Sequence, residues 1–134
     1  MIIPGIFEQE KSQLISKIRI LESIVDFIQV DISDGILVNG ATFNQRSLFE
    51  QMNTRAKFQL HFMMQKPLFY LEVPLPSVVS VCTQIEAPSP PRKFINMARN
   101  LGYKVGFSLN PETPFVRIEP YIEMLDYVQF MTVA

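Results

Sequence analysis

Cysteine is nearly absent from this 134-residue chain, and charge of either sign is in no excess. A single cysteine, Cys82, has no partner for an internal disulfide, so the expected setting is reducing and cytoplasmic. Cys82 itself reads as a small buried hydrophobe rather than a nucleophile. Lys and Arg number 12 against 13 Asp and Glu, which excludes a basic nucleic-acid face and an acidic tail. Apolar runs last only a few residues, too few to span a membrane. The opening Met1-Ile2-Ile3-Pro4 lacks the basic region of a signal peptide. With 48% apolar residues and 19% charged, the composition predicts one soluble globular domain with a real core.

What is present is alternation. Strand-like runs occur at Ile2–Phe7, Phe27–Ile32, Phe58–Met63, Val78–Ile85, Lys104–Leu109 and Tyr127–Val133. Between the first two, Leu14, Ile15, Ile18 and Leu21 share one helical face, with Lys11, Lys17, Arg19 and Glu22 largely off it. A second helix is predicted after Asn44 as N-cap, with Leu48, Phe49 and Met52 inward. A third starts at Pro67 and stops before Pro74. Ser89-Pro90-Pro91 opens a fourth, with Phe94, Ile95, Ala98 and Leu101 facing the sheet and Gly102 ending it. Thr113-Pro114 starts a fifth, which Pro120 bends or breaks.

Strands alternating with helices, and no hairpin signal, predict a parallel sheet with right-handed crossovers. A doubly wound open sheet and a (β/α)8 barrel both fit. Polar residues at every second position favour the barrel: Gln29 and Asp31, Gln59 and His61, Gln84 and Glu86, Ser108 and Asn110, and Gln129. Parallel strands covered on both faces read as continuous apolar runs, so one polar face repeated over five strands suggests the inner layers of a barrel near its mouth. Ile28, Val30, Leu60, Phe62, Val81, Ile85, Phe107, Leu109 and Phe130 would face the helices.

The stretch FIQVDISDG, Phe27 to Gly35, holds the sharpest chemistry. A carboxylate in an apolar strand is costly unless paired, hydrogen-bonded or bound to metal. Adjacent barrel strands would bring Asp31 to His61, the only histidine, and the two could share a metal or form an ion pair. On the residues alone, His61 reads first as a hydrogen-bonded core residue. Asp34-Gly35 is readable as an ordinary turn.

Here the sequence resembles the ribulose-phosphate 3-epimerase family. The family's H-V-D-x-M-D-G is matched by Gln29-Val30-Asp31-Ile32-Ser33-Asp34-Gly35, and its D-V-H-L-M by Gln59-Leu60-His61-Phe62-Met63. L-N-P-x-T-P is intact at Leu109 to Pro114, M-T-V at Met131-Thr132-Val133, and Ile3-Pro4-Gly5-Ile6 is similar to the family's opening S-P-S-I. The resemblance runs through the whole chain in order. It implies a TIM-type (β/α)8 barrel, here incomplete, with about six parallel strands and five helices in one domain, 1–134, without the last βα units. It also implies an isomerase of pentose phosphate carbohydrate metabolism, epimerising C3 of ribulose 5-phosphate or a related sugar phosphate. Asp31 would be the catalytic acid/base, Asp31 and His61 ligands to a divalent Zn, Fe or Mn, and Gly5, His61, Met63 and Met131 substrate contacts. The sequence departs from the family at Gln29 and Gln84, each standing for a histidine, at Ser33 for a methionine and at Gly5 for a serine. Gln29 implies a weakened or lost metal, because an amide is a poorer donor than imidazole. The family's second acid/base and its phosphate-holding amides come later than the residues present, which opens the alternative of a non-catalytic sugar-phosphate-binding or regulatory barrel. The two open sheet edges of a six-stranded wedge imply a homo-oligomer or a complementing chain.

Overall fold

The computed structural model of the chain describes residues 1–132. Six strands, β1 (Gly5–Ile6), β2 (Phe27–Ser33), β3 (Lys57–Met63), β4 (Val78–Gln84), β5 (Lys104–Leu109) and β6 (Tyr127–Phe130), pair in that order, all parallel. The sheet curls into half of an α/β barrel of the TIM type, with the helical connections outside. The α-helices are α1 (Lys11–Leu21), α2 (Ser47–Gln51) and α3 (Pro91–Asn100). No helix among the described residues is long and apolar enough to cross a membrane.

The alternation read from the sequence sorts the two faces of this sheet. Toward the helices lie Ile28, Val30, Ile32, Phe58, Leu60, Phe62, Val81 and Phe107, all buried. Phe62 touches Tyr70 at 5.0 Å between ring centroids and Phe94 at 6.2 Å, so one aromatic seam ties β3 to α3 and to the segment after β3. α1 contributes Leu14 and Ile18 from its inner face. α3 ends as its sequence predicts: Gly102 takes a positive φ of 82°, and the Gly102 and Tyr103 amides cap the Arg99 and Ala98 carbonyls at 2.9 and 3.1 Å.

Several expectations need correction. β1 is two residues long rather than six; Pro4 offers only its carbonyl, which accepts the Gln29 amide at 2.9 Å, and Met1 and Ile2 are exposed. β6 stops at Phe130; of the expected remainder, Val133 lies outside the described residues. Phe130 stacks on Phe115 but stays 62% exposed, because β6 is flanked on one side only among the described residues. Asn44 is not a cap. Its carbonyl accepts the Tyr70 hydroxyl, and α2 starts three residues later with Arg46 at the N-cap. The third connection is a 3₁₀ helix, Pro67–Leu71, and the fifth is two of them, Phe115–Arg117 and Glu119–Met124. Pro120 has no N–H to return to residue 116, so an α-ladder from Phe115 cannot pass through it; the chain breaks at Ile118, which is fully buried.

Candidate functional site

On the inner face, register places Asp31 of β2 directly beside His61 of β3. The His61 Nδ1 and Asp31 Oδ1 atoms are 3.3 Å apart, with the His61 side chain 2% exposed and that of Asp31 21%. Gln29, two residues back on the same face, donates its amide N–H to Asp31 Oδ1 at 3.0 Å. The costly carboxylate is therefore hydrogen-bonded by its own strand and flanked by an imidazole, with one edge open to solvent. Gln129 of β6 reaches across the half-barrel to bring its Nε2 3.4 Å from His61 Nδ1.

The other side of the ring continues inward. His61 Nε2 lies 2.8 Å from Ser108 Oγ and 3.3 Å from Gln84 Oε1, and Ser108 donates its hydroxyl to the same Gln84 Oε1 at 2.6 Å. Gln84 in turn donates to Glu86 Oε1 at 2.8 Å and to Asn110 Oδ1 at 3.0 Å. Burial pushes the Glu86 carboxyl above its ordinary value, opposed by the Asn110 backbone N–H. Its Oε2 is buried without a partner among the described residues. Asp31, His61 and Ser108 fall in the order of a nucleophilic triad, yet Ser108 has no exposed surface and its proton is committed to Gln84. A hydroxyl so enclosed reaches no substrate, which rules out Ser108 as a nucleophile.

The remaining residues singled out in the sequence fall into four groups. Met63, buried, ends β3 two residues beyond His61 and so shares its face, while Met131, half-buried, follows the end of β6 two residues beyond Gln129. Gly5 pairs with Gln29, and a Cβ built on it meets nothing within 4 Å. Asp34 is a turn residue: its two carboxylate oxygens accept the amides of Ile36 and Gln65, each at 2.9 Å, and Gly35 follows with a φ of 79°. Cys82 is buried beside His61 in the β3–β4 register, and desolvation pushes its thiol up to about 12, as suits an inert core sulfur. The parts that Ser108, Gln129 and Asn110 play at His61 had no counterpart in the motif reading. The signal was there in the alternation that put them on the same face. A cavity of about 690 Å3 lies outside the barrel between the Pro67–Leu71 turn and α3, away from this chemistry.

The donor set decides how a metal would fare. Asp31 and His61 supply two strong donors, and no group of three or more His, Cys, Asp or Glu side chains converges among the described residues. Catalytic sites for transition metals hold at least three protein ligands. The third place at this point of the face belongs to Gln29, whose amide nitrogen is turned to Asp31. The described residues thus do not fit a divalent transition metal.

A family model described as the ribulose-phosphate 3 epimerase family matches residues 1–134. Among curated relatives, a ribulose-phosphate 3-epimerase of Schizosaccharomyces pombe is 31% identical over 120 residues, covering 86% of this chain and 53% of that protein. One of Treponema pallidum is 30% identical over 109 residues, covering 80% and 50%, and one of Rhodobacter capsulatus 26% identical over 135, covering 98% and 59%. The chain spans about half to three-fifths of the length of these relatives. Half-barrel, strand motifs and inner-face carboxylate agree with that match over the full length, and the chain belongs to the ribulose-phosphate 3-epimerase family.

Proposed function

We propose that this protein takes and returns the C3 proton of a ketopentose phosphate, ribulose 5-phosphate or a close relative, as a cytoplasmic isomerase of carbohydrate metabolism. Asp31 is the acid/base. The observation that carries this is the state of its carboxylate: partly open, on the inner face, near the C-terminal end of β2, hydrogen-bonded by Gln29 and beside His61. Barrels of this type keep their chemistry at that end of the strands.

A proton next to a carbonyl is too weakly acidic for a carboxylate unless the developing oxyanion is stabilised in a dry, preorganised site. The donors near Asp31 that offer this are the Gln29 and Gln129 amides, with Met63 and Met131 excluding water above them. Gly5 leaves room for the sugar beside Gln29. In this reading, abstraction and return occur on the Asp31 face. Inversion also requires an acid/base on the opposite face, which the family resemblance assigns to residues later than those described. As an isolated polypeptide, residues 1–134 would leave two sheet edges that a second copy or a complementing chain could cover.

The test is ribulose 5-phosphate in deuterated solvent, followed by NMR at C3. Deuterium incorporation by the chain, lowered at least about a hundredfold in Asp31→Asn, is the expected result, the scale of one acid/base group. Incorporation unchanged in Asp31→Asn would overturn the assignment. A specific observation favours the second reading, a binding barrel without turnover: both polar ends of Gln84 are occupied within the protein, as in a structural network. Saturable shifts on adding ribulose 5-phosphate, with no exchange at C3, would select that reading.

A further inference from the structure

The hydrogen bonds around Gln84 have a direction, and the direction starts at Glu86. Glu86 Oε1 accepts the Asn110 backbone N–H at 3.3 Å, so it is an acceptor toward Gln84 at 2.8 Å. Gln84 must therefore turn its NH2 to Glu86, and Asn110 Oδ1 takes the second hydrogen at 3.0 Å. That leaves the carbonyl oxygen of Gln84 facing Ser108 and His61. Ser108 spends its one proton on this oxygen at 2.6 Å, so toward His61, at 2.8 Å, it can only accept. The direct contact from His61 Nε2 to Gln84 Oε1 at 3.3 Å makes the same demand. Every acceptor near Nε2 calls for a hydrogen there.

We propose that Gln84, oriented by Glu86, is a positioning residue that fixes His61 as the Nε2–H tautomer and leaves the Nδ1 lone pair on the Asp31 side as the ring's basic nitrogen. The Gln129 amide nitrogen, 3.4 Å away, can donate to this lone pair, and a proton or cation added here would lie between two acceptors, Nδ1 and Asp31 Oδ1, 3.3 Å apart. The opposite tautomer would gain a bond from Nδ1–H to Asp31 Oδ1 but set its Nε2 lone pair against two acceptors, Ser108 Oγ at 2.8 Å and Gln84 Oε1 at 3.3 Å, neither with a proton to give. Polarity is thus transmitted from β4 to β3 through a side chain that does not itself titrate. The inference rests on the proposed function only for the use made of Nδ1; the tautomer is a property of the resting protein.

The chain holds one histidine, so ring nitrogen-15 spectra report this site alone. The measurement uses the full chain with a chelator and without substrate, at a pH where the ring is neutral, with long-range correlations assigning the protonated nitrogen. The wild type is expected as Nε2–H, favoured about tenfold, the factor of one net hydrogen bond. Gln84→Met should bring the two tautomers near parity. Glu86→Met should do so too, because it frees Gln84 to turn over, while Glu86→Gln, which keeps an acceptor oxygen at Oε1, should retain the wild-type ratio. An Nδ1–H wild type would overturn the proposal, as would an unchanged ratio in both methionine variants. Since no turnover is involved, these outcomes stand apart from success or failure of the C3 exchange experiment.

Discussion

Gln29 makes the difference between this site and one built for metal. Its amide nitrogen occupies Asp31 Oδ1 at 3.0 Å, where an imidazole would offer a lone pair instead. Calorimetric titration should find Zn²⁺ and Mn²⁺ weakly bound by the unmodified chain. Gln29→His should tighten Zn²⁺ at least about tenfold, the scale on which ligand surroundings alter metal affinity. Tight binding by the unmodified chain that survives His61→Ala would contradict the donor count. Glu86 makes a second prediction, about pH. Burial raises its carboxyl above the ordinary 4.5. Below that value the group is protonated in both folded and unfolded chains and has no effect on the difference between them. As pH rises through it, the unfolded carboxyl ionises first, so the folded state holds more protons and stability falls until the folded carboxyl ionises too. Urea unfolding from about pH 4 upward should show this loss in the wild type and not in Glu86→Gln. Equal pH slopes in the two proteins would remove Glu86 as the cause.

Between strands, one close fit lies where β5 meets β6. A Cβ on Gly106 would come 2.7 Å from Tyr127 Cε2, and the Tyr127 hydroxyl is tied to Ser80 at 2.8 Å, so the ring has no easy retreat. Gly106→Ala should destabilise by about 1–3 kcal/mol through overpacking. The pair Gly106→Ala with Tyr127→Ala should cost less than the sum of the single changes, measured by chemical denaturation. Strict additivity would show that the two residues do not meet. Strands and their faces were legible in the sequence because a period of two survives any curling of the sheet: Gln29, Asp31 and His61 lie where the alternation puts them. The Asp31–His61 pairing was legible too, since neighbouring parallel strands in register need no long-range geometry. The bond from His61 to Ser108 was not. It skips β4 and joins β3 to β5, and that distance depends on curvature, which linear periodicity does not encode. The 3₁₀ connections were missed for another reason: proline marks a helix start as readily as it limits the helix to a turn or two.

At the scale of the molecule, two strand edges face outward. Tyr127–Phe130 carries no lysine or proline to discourage pairing, and Phe130 is 62% exposed. Prepared as an isolated polypeptide, residues 1–134 should sediment with a concentration-dependent coefficient, and Phe130→Lys should shift the distribution toward monomer. A concentration-independent monomer would mean that the edges are covered from within. The order of the strands in space is the order of the strands in the chain, β1 through β6 without a skip. For a ribosome this is a convenience: each strand, as it leaves the exit tunnel, finds its neighbour already made and still offering an edge. Synthesis and assembly can therefore advance together, one βα step at a time, since each pairing among the six described strands joins a strand to the one made just before it.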